Sequence, residues 1–224
     1  FVMQALNRTT APIGDRVEQL WDLYTDSGYF NLSGKDPHEF DSLALSFRQV
    51  VERTRSVPWL SYQAVWPSGH RIDAAASIVK VYQGTWMFHQ LAKRRGGDGE
   101  KAGRHILRDT YLRAFEYIQS DANCNWVLVY GEAHVRWMQR SHYAFAEHFE
   151  STGAAIARPF NLMEANCRLR AEATPLNDYR VGAAAPDERQ LIVDVLGRTL
   201  PQPYIEACDL VGQRFDISVT KRVW

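Results

Sequence analysis

The segment Arg94-Arg95-Gly96-Gly97-Asp98-Gly99 puts two guanidiniums and three glycines within six consecutive residues. A strand-like apolar run, 85–92, ends just before it, and a helix-like run, 100–119, begins just after it. Glycine lacks a Cβ, so its backbone reaches positive φ and lets a ligand approach closely. A helix start offers unpaired N–H groups and the positive end of the helix dipole. Arginine adds charge-assisted hydrogen bonds. Together these features suit the binding of a phosphate group, although Gly/Arg clusters also make ordinary surface turns.

Other residues carry chemistry near this segment. His89 lies on the strand before it, and an unperturbed imidazole titrates close to neutrality. It is a candidate general base, with packing inside the sheet as the plain alternative. Glu132 follows the short apolar run 126–130, at the strand end where ligands gather in open sheets. Capping of the next helix is its plainer role. His134, His142 and His148 share a helix at separations of eight and six residues, a poor spacing for one metal ion. No metal site is expected. Arg136 and Arg140 read as a solvated face, and Trp137 and Tyr143 as core or helix-packing residues. Cys124 reads as structural, with no histidine at a telling spacing. The chain has no Gly-x-Ser-x-Gly element, and its Arg/Gly loop does not open a βαβ unit as a dinucleotide fingerprint would.

The elements that must position these residues follow from periodicity. Residues 2–8 read as a short strand. Asp15 reads as the N-cap of a helix carrying Val17, Leu20, Trp21 and Leu23. Ser33-Gly34-Lys35 lies in a loop. A second helix places Phe40, Leu43, Phe47, Val50 and Val51 at helical spacing. Three strands then follow (59–66, 72–82 and 85–92), joined by short turns as an antiparallel meander. After the Arg/Gly loop come a helix with Ile106, Leu107, Tyr111, Phe115 and Ile118 on one face, and a central strand at 126–130. A long helix over 133–150 has an apolar stripe of Val135, Met138, His142, Phe145, Ala146 and Phe149. A pair of strands (154–160 and 162–169) closes this part. Beyond residue 173 the pattern is a loop and short helices, with Leu191, Ile192, Val195 and Leu196 on a buried side, then pieces at 203–211 and from 217.

The 224 residues are 46% apolar, enough for a full core. Lys+Arg and Asp+Glu both number 26, so the net charge is zero. That balance argues against coating nucleic acid or an anionic membrane, while leaving Lys93–Arg95 as a local basic patch. Three widely spaced cysteines make no disulfide framework, and no apolar run approaches the length of a membrane span. The expected compartment is the cytoplasm. Phe1 at the start and a helical pattern running to Trp224 suggest a fragment of a longer protein.

The order β, α, α, β-meander, α, β, α, β-pair, with Arg94-x-x-Gly97-x-Gly99 between meander and helix, resembles the GNAT superfamily of acyl-CoA-dependent N-acyltransferases. The resemblance covers roughly residues 1–172. It implies an α/β (α+β) fold with a mixed, mostly antiparallel sheet flanked by helices. Residues 173–224 form a helical extension, or the start of a second domain as in double-GNAT aminoacyl transferases. By the resemblance, Arg94, Arg95, Gly96, Gly97 and Gly99 would hold the pyrophosphate of an acyl-CoA. Gln90, Leu91 and Ala92 would face pantetheine in a gap where the strand parts from its neighbour. Backbone N–H groups near Gln90 and Leu91 would polarise the thioester carbonyl. His89 or Glu132 would relay the amine proton through water. The family often has a tyrosine acid near the end of the fourth helix, where this chain has Phe149; Tyr143 is the substitute. Asp98 stands where the family has an aliphatic residue and would repel pyrophosphate unless turned outward. The implied activity is N-acylation of a small-molecule or peptide amine, from coenzyme A or from an acyl carrier protein met by Lys93–Arg95. The alternative is an inactive, ligand-binding or scaffolding module of the same shape.

Overall fold

The computed structural model describes residues 10–31, 37–94, 100–160 and 185–210. They fall into two compact units that part between Tyr130 and Gly131.

In the first unit, helix α1 (Val17–Ser27) buries Val17, Leu20, Leu23 and Tyr24, the three-to-four spacing that makes one apolar face. It stops at Gly28, whose φ of 73° is a left-handed cap that glycine adopts without a Cβ penalty. Its N-cap is Arg16 rather than the expected Asp15, whose carboxylate instead accepts from Arg55 at 2.6 Å. A 3-10 turn (Pro37–Leu43) leads into α2 (Ala44–Arg55), so the expected second helix is split in two. Strand β1 is the pair Ala11–Pro12; the expected strand at 2–8 lies outside the described residues.

The meander is present as β2 (Ser61–Ser68), β3 (Arg71–Tyr82) and β4 (Thr85–Lys93), each antiparallel to the next. Helix α3 (Glu100–Gln119) then crosses over, and β5 (Trp126–Val129) pairs parallel with β4. A parallel pair requires such a crossover. The sheet order is β1-β2-β3-β4-β5, the mixed and mostly antiparallel sheet that the resemblance implies. Alternation along the strands feeds two cores. One face carries Val65, Ile72, Ala75 and Ala92 under α1 and α2; the other carries Tyr62, Ile78, Trp86 and Phe88 under Ala114 and Ile118 of α3. Alanines at 74–76, fully buried, leave room for helices on both sides. The turn into β5 is tied down by Asp121, whose carboxylate accepts from Lys80 at 2.6 Å and from the Trp86 indole at 2.8 Å.

The second unit opens with α4 (Arg136–Met138), a π-helical stretch (Gln139–Tyr143), α5 (Ala144–Phe149) and a 3-10 turn (Glu150–Thr152). A single regular helix was expected. The wider π turn shifts the phase of the side chains, and the expected stripe breaks up: Ala146 is buried while Phe145 is 59% exposed. Residues 155–160 form no strand, contrary to expectation, and the proposed partner at 162–169 lies outside the described residues. A 3-10 turn (Pro186–Glu188), α6 (Arg189–Leu196) and α7 (Gln202–Ala207) follow. Leu191 and Val195 are mostly exposed, so the expected buried side of α6 is not observed. The boundary near 173 and the helix from 217 lie outside the described residues. No described helix is long and apolar enough to cross a membrane.

Candidate functional site

Strand β4 is paired on both sides over only its first four residues. Against β3 it runs from Thr85, opposite Tyr82, to Lys93, opposite Ala74. Against β5 the ladder stops at Phe88, opposite Val129. Residues 89–93 therefore have no partner on β5, which ends at Val129. The β3 register also shifts there. Ile78 faces Phe88 and Ser77 faces Gln90, leaving His89 as an extra, bulged residue. A bulge takes backbone groups out of the ladder and re-aims the strand.

The side chains of this stretch are already committed to the sheet faces. Gln90 turns to the α1 side, where its amide oxygen accepts from the Tyr24 hydroxyl at 3.0 Å. The same Tyr24 oxygen lies 3.1 Å from Ser77 Oγ. With the Tyr24 proton directed at Gln90, Ser77 is the donor of that second bond. Leu91 packs in the α3-side core and Ala92 in the α1-side core. What these residues can offer a ligand on the β5 side is backbone.

His89 departs from the titration expected of it. Burial lowers its pKa to about 4, so the ring is neutral at pH 7 and a weak base. Its carbonyl oxygen accepts from the Tyr29 hydroxyl at 3.1 Å. Burial pushes the Tyr29 phenol up to about 12 and raises that of Tyr24 as well.

Arg94 leaves β4 with its backbone N–H on the Asp73 carbonyl at 2.8 Å. Its guanidinium pairs with the Asp26 carboxylate at the end of α1 and donates to the Ile72 carbonyl. An incoming anion would have to compete with Asp26. Arg95, Gly96, Gly97, Asp98 and Gly99 lie outside the described residues, so the rest of the Arg/Gly loop does too. The backbone of α3 begins at Glu100, where expected.

Glu132 and Tyr143 belong to the second unit. The Glu132 carboxylate lies 3.1 Å from the His134 ring. It does not cap the helix, because the N-cap is Val135 with no side-chain cap bond. Tyr143 is the last residue of the π-helical stretch and is half-buried; Phe149 ends α5. His142 meets the Trp137 ring edge-on. The Cys124 thiol donates to the Trp126 carbonyl at 3.5 Å, in keeping with a structural role.

Sequence reasoning passed over Tyr24, Tyr29, Ser77 and Asp26. One signal was available. Tyr24 sits on the buried stripe of α1, and a buried phenol needs a hydrogen-bond partner.

No model of a known protein family matches the sequence, and no curated protein matches it significantly. Several solved structures are similar in backbone. One is an acetyltransferase assigned to the GNAT family from Desulfovibrio desulfuricans, at 9% identity and a TM-score of 0.40, with 62% of this chain and 82% of that chain covered. Another is PaiA N-acetyltransferase from Thermoplasma acidophilum in complex with coenzyme A, at 11% identity and a TM-score of 0.43, covering 59% of this chain and 83% of that chain. A third is a transcriptional regulator from Bacillus halodurans, at 14% identity and a TM-score of 0.38, covering 70% and 99%.

Proposed function

We propose that this chain transfers an acyl group from a thioester, carried by coenzyme A or an acyl carrier protein, to the amine of a small molecule or peptide. The observation that carries this reading is the half-paired β4, whose residues 89–93 have no β5 partner beside a bulge at His89. Pantetheine is itself a chain of amides, and a strand edge recognises such a chain through main-chain hydrogen bonds. The strand leads to Arg94, and α3 begins at Glu100, so an anion would be met by a helix start.

In the proposed reaction the amine attacks the thioester carbonyl and the C–S bond breaks. Backbone N–H groups near Gln90 and Leu91 would polarise the carbonyl oxygen. The amine must first lose a proton. His89, whose ring is neutral at pH 7, would accept it through water.

A second reading is a ligand-binding module without turnover. One ion pair favours it, Arg94 with Asp26, because it occupies a group the reaction would use.

Thermal shift with acetyl-CoA, a long-chain acyl-CoA and an acylated carrier protein separates these readings, combined with thiol release in the presence of spermidine or a lysine peptide. An enzyme is stabilised by a donor, loses that response in Gly97→Glu, and releases thiol. Stabilisation without thiol release supports the module. No response to any of the three donors refutes both.

A further inference from the structure

The residues of β4 that β5 leaves unpaired are held from the other direction by the end of α1 and the turn after it. Tyr24 donates to the Gln90 side chain, Tyr29 donates to the His89 carbonyl, and Asp26 pairs with Arg94. The three ties fall on successive parts of the same short stretch, and they come from three residues within six positions of the chain. The Tyr24 and Tyr29 rings pack on one another with centroids 4.9 Å apart, so the two hydroxyls are placed as a unit.

This arrangement has a specific structural consequence. A one-residue change of register turns every following side chain to the opposite face of a sheet. The bulge at His89 is such an offset, and it needs something to keep it in place. Tyr29 satisfies the bulged carbonyl, and Tyr24 fixes the residue after it on the α1 side, in line with Ser77. We infer that Tyr24 and Tyr29 are positioning residues: they clasp the bulged end of β4 and so set the direction of the 89–91 backbone that would meet the thioester carbonyl. The inference rests on the acyl-transfer reading only for its catalytic part; the clasp itself is a property of the unliganded chain.

The test is Tyr29→Phe and Tyr24→Phe, each removing one hydroxyl, with Tyr117→Phe as the control. Tyr117 loses a comparable bond, to the Pro58 carbonyl, on the α3 side. Backbone amide NMR of the unliganded protein is the first readout. The clasp predicts shift changes and faster amide exchange concentrated at residues 88–92 in both clasp variants, at temperatures where all variants are folded, and none there in Tyr117→Phe. Steady-state thiol release is the second readout. It is expected to show kcat reduced about tenfold or more in Tyr29→Phe, with KM for the acyl-CoA within about twofold, because transition-state alignment is lost before binding. Unchanged amides at 88–92 in both folded variants overturn the clasp. Changed amides with kcat unaffected overturn its catalytic part. If the wild-type protein turns over no donor, the acyl-transfer reading fails, and the amide result alone decides the clasp.

Discussion

The half-buried, neutral imidazole of His89 should make the protein sensitive to mild acid. Its pKa falls from 6.5 to about 4 on folding because burial disfavours the charged ring. Between those two values the unfolded chain binds the proton and the folded chain does not. Stability therefore rises with pH across that window, is complete above about pH 6.5, and is lost as pH falls toward 4. At about 1.4 kcal/mol per tenfold change in proton affinity, the full difference is about 3 kcal/mol, of which about 2 kcal/mol is lost between pH 7 and pH 5. Urea unfolding of the wild type and of His89→Gln, at half-unit steps from pH 7 to pH 4.5, isolates this contribution. Half-buried His142, also lowered by burial, contributes with the same sign but cancels in the comparison. The wild type should lose about 2 kcal/mol more than the variant on going to pH 5. Parallel pH profiles, or an NMR titration that puts the His89 ring near 6.5, would refute the argument.

Two other perturbations follow from particular contacts. Asp121→Ala strands the Lys80 ammonium and the Trp86 indole N–H, both bonded to one carboxylate oxygen, and should cost about 2–3 kcal/mol in urea unfolding. Burial pushes the Asp121 carboxyl up, but the bonds from Lys80, Trp86 and the Asn123 N–H outweigh it and hold the pKa below its ordinary 3.8. Its stabilisation is thus present above that value and fades as pH drops through the lower folded one. Gly28→Ala forces a Cβ into a residue with φ of 73° and should destabilise by about 1 kcal/mol, visible as a lower Tm.

Much of the first unit was legible because its signals are local. The three strands of the meander, α3 and β5 announce themselves by alternation, by helical spacing and by a short apolar run, and their bounds fall within two residues of those expected. The second unit was less legible. A π-helical turn leaves no mark on residue types, so the stripe read across 135–149 assumed a phase the backbone does not keep. At the candidate site, the position of His89 could be read but its burial could not. The pairing of Arg94 with Asp26 joins residues far apart in the chain, and no spacing rule brings them together. Glu132 looked like a cap because of where it sits, yet a neighbouring imidazole took the carboxylate first.

The split ladder of β4 also bears on how the chain is made. During synthesis the three-stranded meander is complete once Lys93 has left the ribosome, and its hairpin contacts are short-range and quick to form. Its outer border, with Trp86 and Phe88, must then wait through the whole of α3 for Trp126–Val129 to arrive. For that interval the nascent chain presents a bare apolar strand border, the kind of surface that chaperones shield and that other chains can stick to.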